Sequence, residues 1–401
     1  MRRLILAVAS MMALGACATE GGFNTGTSGA GWVGAWGASP APPGPDSQSF
    51  DNQTIRQTLI VSAAGSELRV RFTNEYGDKP LKIGAATISR TGPDGKPTGA
   101  PTAILFGGQT GATLPKASPM FSDNIPFRVS ALEKISISLF FPEPTGPCTC
   151  HTLGMENVEI SNAGDFTRAG FSLKETTTRR PFISAVEVLS PTPTRAIITF
   201  GDSITDGNSS TVGANRRWPD VLAQRLHAAG MDRSVVNQGI SGNQVRGYYT
   251  PGTGDAAIAR FDRDVLTVPG ASWMVMLEGI NDIGIATLAK TSPPDAATII
   301  AGYKQIIARA HAHGLKVYLS TIMPYSGARY YKPEGNTIRL AVNEWIRRAE
   351  GFEGVIDFDA LMRDPADPTK LKADLQTGDW LHPNDAGYRI MGEAVDLALF
   401  R

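Results

Sequence analysis

Four short motifs of this 401-residue chain contain the residue types of a nucleophilic hydrolytic site. They read Gly201-Asp-Ser-Ile-Thr-Asp-Gly207, Asn237-Gln-Gly-Ile-Ser-Gly-Asn243, Gly279-Ile-Asn-Asp282 and Asp379-Trp-Leu-His-Pro383. A serine hydroxyl becomes a good nucleophile only when a base removes its proton, and histidine suits that task near neutral pH. His382 is the only histidine inside a motif, and Asp379 lies three residues before it, where a carboxylate can stabilise the imidazolium. Ser203, His382 and Asp379 are therefore the candidate nucleophile, base and acid.

The segments that must present these motifs alternate between strand and helix patterns from residue 195 onwards. Strands are predicted at 195–200, 234–240, 273–277, 316–322 and 355–358, and helices at 216–229, 255–266, 295–313, 336–350 and 384–399. Such alternation over some 205 residues predicts an α/β domain with a parallel sheet covered on both faces. In these sheets functional residues collect at the carboxyl ends of strands, and the first three motifs follow predicted strands.

The preceding part of the chain, residues 32–190, has mostly a period of two. Apolar and polar residues alternate at 67–73 and 134–139, and strands are also predicted at 54–61, 81–89 and 183–189. Many short strands separated by glycine and proline turns indicate an antiparallel β-sandwich or jelly-roll-like domain. The Ser190-Pro-Thr-Pro-Thr194 segment is a plausible stiff linker, so the two predicted domains span 32–190 and 191–401.

Taken together and in this order, the four motifs resemble those of the GDSL, or SGNH, hydrolases over roughly residues 195–401. The resemblance implies a flavodoxin-like three-layer α/β domain and a serine esterase (acylhydrolase) activity. The hallmark residues of the family correspond to Ser203, Gly242, Asn281 and His382, with Asp379 completing the triad.

Three further details bear on this resemblance. Ile204 stands where the family name has a leucine, and this change touches no catalytic atom. Residues 32–40 (WVGAWGASP) resemble the start of β-rich domains that precede the catalytic domain in some bacterial esterases. The chain has no Gly-x-Ser-x-Gly elbow, which argues against the α/β-hydrolase plan.

Three N–H donors are expected to surround the negative charge that develops when the serine attacks. They are the backbone N–H groups of Ser203 and Gly242 and the side-chain amide of Asn281. One such oxyanion donor is worth on the order of 3 kcal/mol in the transition state. Gly242 suits this role because the missing Cβ lets the backbone approach the substrate closely.

Each of these residues also has an ordinary structural interpretation. Ser203, Asn281 and Asp379 belong to residue types that cap helices, and Gly242 is also a normal turn residue. The joint occurrence of all four motifs favours the catalytic interpretation over separate coincidences.

The other polar residues near the motifs are expected to have structural roles. Asp202 and Asp206 flank the nucleophile and are interpreted as hydrogen-bonded to its turn. His151 reaches the active site only if the β domain packs over it. The remaining histidines are expected at the surface: His227, His311 and His313.

The N-terminus has the pattern of an export signal. A basic start, Met1-Arg2-Arg3, precedes an apolar run that ends in Leu14-Gly15-Ala16-Cys17, which resembles a bacterial lipobox. Residues 1–17 are predicted to be a signal peptide with Cys17 as the lipidated residue, and 18–31 a flexible tether. The alternative is an ordinary cleaved signal with an incidental cysteine. Both predict export to the periplasm or cell surface, and the first adds a membrane anchor.

The remaining two cysteines, Cys148 and Cys150, lie two residues apart next to His151. Export permits a disulfide, but in a regular strand their Cα atoms sit near the upper limit for bridging, so a bridge needs a turn. A structural disulfide or two free thiols are favoured. A redox pair is another alternative, as is a metal site, for which three adjacent ligands are weak evidence.

Composition excludes several functional classes. Lys+Arg and Asp+Glu both number 38, so the chain lacks the basic excess of a nucleic-acid-binding protein. The 42% hydrophobic content argues against disorder, and three cysteines exclude a multi-cysteine zinc domain. The expected chemistry needs no metal or organic cofactor.

These observations predict an exported serine esterase for short-chain carboxylic esters, with O-acetyl groups on carbohydrates as one candidate substrate. A lipid or aryl ester is the rival substrate, because the sequence does not identify the acyl group. Transfer of the acyl group to an alcohol is an alternative outcome of the same chemistry. A non-enzymatic surface-binding lipoprotein is the alternative from another class, against which the intact triad residues argue.

Overall fold

The computed structural model describes residues 31–168, 170–247 and 250–401. The predicted signal peptide with Cys17, and the tether apart from its last residue, lie outside these residues. Within the described part of the chain, no helix combines the length and apolar character needed to cross a membrane.

The N-terminal domain is built from short β-strands separated by turns. In chain order they are β1 (Gly31–Gly37), β2 (Gln53–Val61), β3 (Leu68–Asn74), β4 (Leu81–Ile83), β5 (Ala85–Thr91), β6 (Pro97–Ala103), β7 (Ala112–Leu114), β8 (Ser118–Phe121), β9 (Glu133–Phe141), β10 (Cys150–His151), β11 (Val158–Ala163), β12 (Leu173–Thr177), β13 (Arg180–Pro181) and β14 (Ile183–Ser190).

These strands form two main antiparallel sheets. One has the order β1-β14-β3-β8 and the other β12-β11-β2-β9-β5-β6, while β10 pairs with β13 and β4 with β7. Alternate residues of β2 and β3, such as Ile55, Leu59 and Val70, point into a shared apolar core, as a period of two requires. The predicted antiparallel β-rich domain is therefore confirmed.

One predicted strand of this domain is divided in the structure. The sequence pattern predicts a single strand at 81–89, but β4 pairs with β7 whereas β5 joins the six-stranded sheet. Gly84 lies at the break, where an added Cβ would come within 2.9 Å of the Phe140 ring. The close approach of the neighbouring strand explains why glycine stands where the chain changes sheet.

The C-terminal domain alternates strands and helices. In chain order they are β15 (Arg195–Gly201), α1 (Ser203–Asp206), α2 (Trp218–Ala228), β16 (Arg233–Gly239), α3 (Ala257–Phe261), β17 (Ala271–Leu277), α4 (Ile280–Leu288), α5 (Ala296–Ala312), β18 (Lys316–Ser320), α6 (Pro333–Arg347), β19 (Gly354–Ile356), α7 (Phe358–Met362) and α8 (Asp385–Ala394). A π-helical turn spans Asp262–Leu266, and 3-10 turns span Pro251–Thr253, Ala373–Leu375 and Leu397–Phe400.

The five strands of this domain form one parallel sheet with the order β16-β15-β17-β18-β19. This order confirms the predicted α/β fold class. The connection from β15 leads to one side, to β16, and the chain then crosses back to β17 on the other side. Ligands of such sheets bind where the strand order reverses, at the carboxyl ends of the strands. The crevice beyond β15 and β17 is thus the expected position of a site.

Two predicted helices are interrupted. The helix predicted at 255–266 consists of α3 and the π-helical turn, and the closing helix predicted at 384–399 ends at Ala394. Val395 adopts an extended backbone conformation (φ −68°, ψ 119°) before the final 3-10 turn. Apolar spacing alone does not distinguish a continuous helix from such closely spaced turns.

The two domains pack closely against each other. The edge strand β1 lies against β16, where a Cβ on Gly37 would come within 2.6 Å of the Val236 side chain. The Ser62 and Ser234 hydroxyls lie 3.1 Å apart, and the Ser39 hydroxyl donates to Gln238 Oε1 at 2.6 Å. Apolar residues of both domains belong to one buried cluster, so the β domain is part of the framework that supports the sheet.

Candidate active site

The candidate nucleophile lies at the end of β15, on the first turn of a very short helix. Ser203 is the first residue of α1 and is only 4% exposed. The N-cap is Asp202, whose Oδ1 accepts the N–H of Ile204 at 2.9 Å, and Gly207 closes the turn with φ 94°. Ser203 is therefore not the helix cap of the alternative interpretation, and its hydroxyl is available for another contact.

The structure brings the three predicted triad residues together. His382 Nε2 lies 2.8 Å from Ser203 Oγ, and His382 Nδ1 lies 2.6 Å from Asp379 Oδ2. These distances are within hydrogen-bond range at both ring nitrogens. The arrangement permits Nδ1–H to donate to the carboxylate while Nε2 accepts the serine proton, which is the geometry of a general base and its orienting acid.

The loop before α8 fixes the carboxylate as well as the imidazole. Asp379 Oδ1 accepts the backbone N–H groups of Leu381 and His382, both at 2.9 Å. Burial favours the neutral acid, but the His382 side chain and these N–H groups outweigh it and hold the pKa of Asp379 well below its usual range. Asn384 caps α8, so Asp379 does not have the capping role of the alternative interpretation. The carboxylate stays ionised.

Two backbone N–H groups near the ends of β15 and β16 are candidate donors to an oxyanion. Within the part of the chain that the structure describes, neither the Ser203 nor the Gly242 N–H has a backbone or side-chain acceptor. Gly242 has φ 81°, and a Cβ there would come within 2.7 Å of the Thr253 methyl carbon. Left-handed backbone and lack of space both require glycine, which leaves the N–H open to an oxyanion.

Neighbouring groups orient the amide of Asn281, the third predicted donor. Asn281 Oδ1 accepts from the Tyr330 hydroxyl at 3.3 Å, and Nδ2 donates to the Asn243 carbonyl at 2.9 Å. The primary amide has two N–H groups, so one remains for a substrate oxygen. These contacts define which end of the amide is nitrogen and hold it in place.

Asn243 is a supporting residue to which the sequence motif assigned no role. Its side-chain amide donates to the carbonyl groups of Thr253 and Asp255 at 2.8 Å each, and its Oδ1 accepts from Arg260 at 2.9 Å. Its backbone carbonyl holds Asn281. The sequence offered one indication of this role, the position of Asn243 at the end of the second motif. It offered none for Tyr330, which lies outside every motif.

A cluster of buried carboxyl groups lies behind the nucleophile. Burial raises the pKa of Asp202 to about 7 and that of Asp282 to about 6, although backbone N–H groups oppose the shift in both. Burial also raises the pKa of Glu278 well above its usual range. The buried cation is Arg260, whose Nη2 lies 4.0 Å from Glu278 Oε2 and donates to the Gly201 carbonyl at 2.9 Å. These groups tie together the loops after β15, β16 and β17.

The other predicted residues have the following positions. Cys148 and Cys150 form a disulfide with a Cα–Cα distance of 5.3 Å, within the normal range for a bridge. No cluster of histidine, cysteine and acidic residues that suits a metal ion occurs among residues 31–168, 170–247 and 250–401. His151 contacts Asp206 rather than the triad. The three histidines expected at the surface are exposed: His227, His311 and His313.

A parallel-sheet domain with these motifs at its strand ends is that of an acyl hydrolase. Residues 199–390 match the sequence profile of the GDSL-like lipase/acylhydrolase family. The C-terminal domain is thus similar to this family, and the class of enzyme that the match supports is a carboxylic ester hydrolase.

The chain is similar to several solved structures over about half of its length. An aryl esterase from M. smegmatis is 16% identical and covers 50% of this chain and 95% of its own, with a TM-score of 0.40. The psychrotrophic esterase EstA from Pseudoalteromonas sp. is 19% identical and covers 50% of this chain and 93% of its own, with a TM-score of 0.38. An acetyl xylan esterase is 21% identical and covers 50% of this chain and 96% of its own, with a TM-score of 0.38. The comparison with curated proteins found no match.

Proposed function

We propose that this protein is an exported serine esterase that cleaves short-chain carboxylic esters through an acyl-enzyme. The observation that carries the proposal is the pair of contacts of His382: Nε2 to Ser203 Oγ at 2.8 Å and Nδ1 to Asp379 Oδ2 at 2.6 Å. The Ser203 and Gly242 N–H groups and the Asn281 amide are the proposed donors to the oxyanion and add the electrostatic half of the mechanism.

The reaction follows from these contacts. As Ser203 Oγ bonds to the ester carbonyl carbon, its proton moves to His382 Nε2, and the carbonyl oxygen becomes an oxyanion held by the N–H donors. The bond to the leaving alcohol then breaks, and the alcohol takes the proton from Nε2. Water adds to the acyl-enzyme in the same way: it gives a proton to Nε2, and the acid leaves as Ser203 Oγ takes that proton back. Asp379 remains ionised throughout.

A Ser203→Ala variant tests the mechanism. We expect its kcat for p-nitrophenyl acetate to be at least about 10³-fold lower than that of the wild type, while its circular dichroism spectrum is unchanged. A variant with wild-type kcat would contradict the proposal.

The acyl group is proposed to be short. Tyr330 is only 7% exposed and its hydroxyl contacts Asn281 Oδ1 at 3.3 Å, so its side chain lies beside the Asn281 amide. A bulky wall next to an oxyanion donor leaves little room for a long chain on that side. The test compares kcat/KM for acetyl, butyryl and octanoyl p-nitrophenyl esters. The acetyl or butyryl ester should give the highest value, and a higher value for the octanoyl ester counts against the proposal.

An O-acetylated polysaccharide is the proposed natural type of substrate. A groove of about 540 Å³ on the β domain combines polar side chains with an aromatic ring, including Arg56, Glu159 and Phe171. Sugars are bound by such mixed surfaces, because hydroxyl groups need hydrogen-bond partners and ring faces pack on aromatics. Phe171→Ala should lower acetate release from the polymer several-fold without changing p-nitrophenyl acetate hydrolysis. Equal rates on both substrates would argue against glycan binding at this groove.

Export and membrane attachment are proposed from the N-terminal sequence. The apolar run followed by Leu14-Gly15-Ala16-Cys17 supports lipid attachment at Cys17. In cells, Cys17→Ser is expected to move the esterase from the membrane fraction to the soluble fraction. Unchanged fractionation would favour an ordinary cleaved signal or another means of attachment.

A further inference from the structure

A buried histidine of the β domain lies next to the catalytic serine loop. His151, in β10, is 5% exposed and lies opposite Arg180 of the neighbouring antiparallel strand β13. Its Nδ1 lies 3.0 Å from the Ser39 carbonyl oxygen, and its Nε2 lies 2.9 Å from Asp206 Oδ1 and 3.1 Å from the Leu153 carbonyl oxygen. The imidazole therefore has oxygen partners at both ring nitrogens.

The chemistry of these partners defines the protonation state of the ring. Backbone carbonyl groups only accept hydrogen bonds, and an ionised carboxylate does the same. A neutral imidazole has one N–H and one lone pair, so either tautomer would direct a lone pair at an oxygen atom in a buried place. Placing the proton on Asp206 instead would still leave the Leu153 carbonyl facing a lone pair. Only the imidazolium of His151, with two N–H groups, satisfies both sides.

The carboxylate that faces His151 connects it to the oxyanion site. Asp206 is the last residue of α1, three residues after Ser203, and its Oδ2 accepts the backbone N–H of Ser241 at 3.0 Å. Ser241 precedes Gly242 directly in the chain. The contacts thus run from the β domain through the two oxygens of one carboxylate to Ser241, the residue directly before Gly242.

We propose that His151 is a positioning residue: as an imidazolium supplied by the β domain, it holds Asp206 and thereby fixes the oxyanion loop at Ser241 and Gly242. This deepens the proposed esterase function and rests on it. It also gives the β domain a direct part in the active site of the neighbouring domain.

The charged surroundings of His151 determine its pH dependence. Burial lowers the pKa of His151, but the charge and hydrogen bond of Asp206 and the bond to Ser39 raise it above the usual value, against the opposing charge of Arg180. Besides Asp206, the charged side chains around that guanidinium are those of Arg217, Glu156 and Asp220. A raised pKa means that the contact is complete below pH about 6.5 and is lost as the pH rises through the folded-state value.

The kinetic consequence is a second limb in the pH profile. His382 acts as the base and must be neutral for that step. His151 must be charged to hold Asp206, so kcat falls again at higher pH. Replacing His151 should remove the second limb as well as lower kcat, which a merely structural role would not predict.

The test compares His151→Gln with a matched control. His311 on α5 also contacts a carboxylate, Glu353, at 3.2 Å, but at the surface and outside the active site. We expect kcat for p-nitrophenyl acetate to fall about 10- to 100-fold in His151→Gln, as for residues that orient a catalytic group, with KM within about threefold and no alkaline limb. His311→Gln should match the wild type in kcat, in KM and in the alkaline limb of the pH profile. A kcat for His151→Gln within threefold of wild type would overturn the inference.

A second measurement does not depend on the variant folding. In wild-type protein labelled with ¹⁵N-histidine, NMR at pH 7 should show both ring nitrogens of His151 protonated, and a single neutral tautomer would overturn the inference. Full activity in Ser203→Ala would instead overturn the proposed mechanism and leave the NMR result standing. Loss of activity in Ser203→Ala with an unchanged His151→Gln would overturn only the role of His151.

Discussion

The oxyanion site can be tested through Asn281, because its amide is held by two identified contacts and has one N–H left. Replacing Asn281 with alanine removes that donor while the Ser203 and Gly242 N–H groups remain. The change also removes the partners of the Asn243 carbonyl and of the Tyr330 hydroxyl, which contact the amide at 2.9 Å and 3.3 Å. The variant therefore affects both catalysis and stability, and the two effects have separate readouts.

The expected sizes follow from these contacts. Loss of one oxyanion donor out of three costs about 3–4 kcal/mol in the transition state, which corresponds to a kcat about 10²- to 10³-fold lower. KM should stay within about threefold, because a ground-state carbonyl gains little from the donor. A buried carbonyl left without its partner costs about 1–3 kcal/mol, so the free energy of unfolding should fall by that amount.

The assay is steady-state hydrolysis of p-nitrophenyl acetate together with urea denaturation. Tyr330→Phe is the control, since it removes only the 3.3 Å bond to Oδ1 and leaves the amide held by the Asn243 carbonyl. Its kcat should fall less than about tenfold. If Asn281→Ala keeps kcat within threefold of wild type, or loses activity only through KM, the assignment of Asn281 as a donor to the oxyanion is refuted.

Three further changes give distinct outcomes. Gly242→Ala should lower kcat about tenfold and the free energy of unfolding by about 1–2 kcal/mol, since Gly242 has φ 81°. Gly314→Ala is the control, because Gly314 has φ 74° in open space and its replacement should lower only the free energy of unfolding. Equal kcat values for the two variants would contradict this. Joint replacement of Cys148 and Cys150 by alanine should cost only about 2 kcal/mol in urea denaturation, because the bridge closes a loop of three residues; a loss above about 4 kcal/mol would show another role. Asp202→Asn should stabilise the protein more at pH 8 than at pH 5. Burial raises the pKa of Asp202 to about 7, so the folded state holds a proton that the unfolded state loses, and its stability falls as the pH rises towards that value. The same gain at both pH values would argue against a buried charge.

The architecture of the catalytic domain was largely predictable because its signals are local. The run Trp273-Met-Val-Met-Leu277 is buried throughout, as expected for a strand covered on both faces. Motifs far apart in the chain meet because parallel strands end at the same edge of the sheet. This is why the sequence alone predicts that Ser203, Gly242 and Asn281 lie near one another.

The remaining features depend on contacts that no local pattern encodes. Alternation predicts a strand at 81–89 but not its partner, so the change of sheet at Gly84 was not foreseen. The ion pair of His151 with Asp206 joins residues 55 positions apart, across a domain interface whose geometry the sequence does not define. Tyr330 likewise reaches Asn281 from a loop without any motif.

The most direct measurement on the central claim is covalent trapping of the nucleophile. Wild-type protein is incubated with a p-nitrophenyl phosphonate, and the modified residue is mapped by peptide mass spectrometry. We expect one phosphonyl group per chain, on Ser203, formed in parallel with the loss of esterase activity and absent from Ser203→Ala. Loss of activity without a label on Ser203, or with the label on another residue, would contradict it.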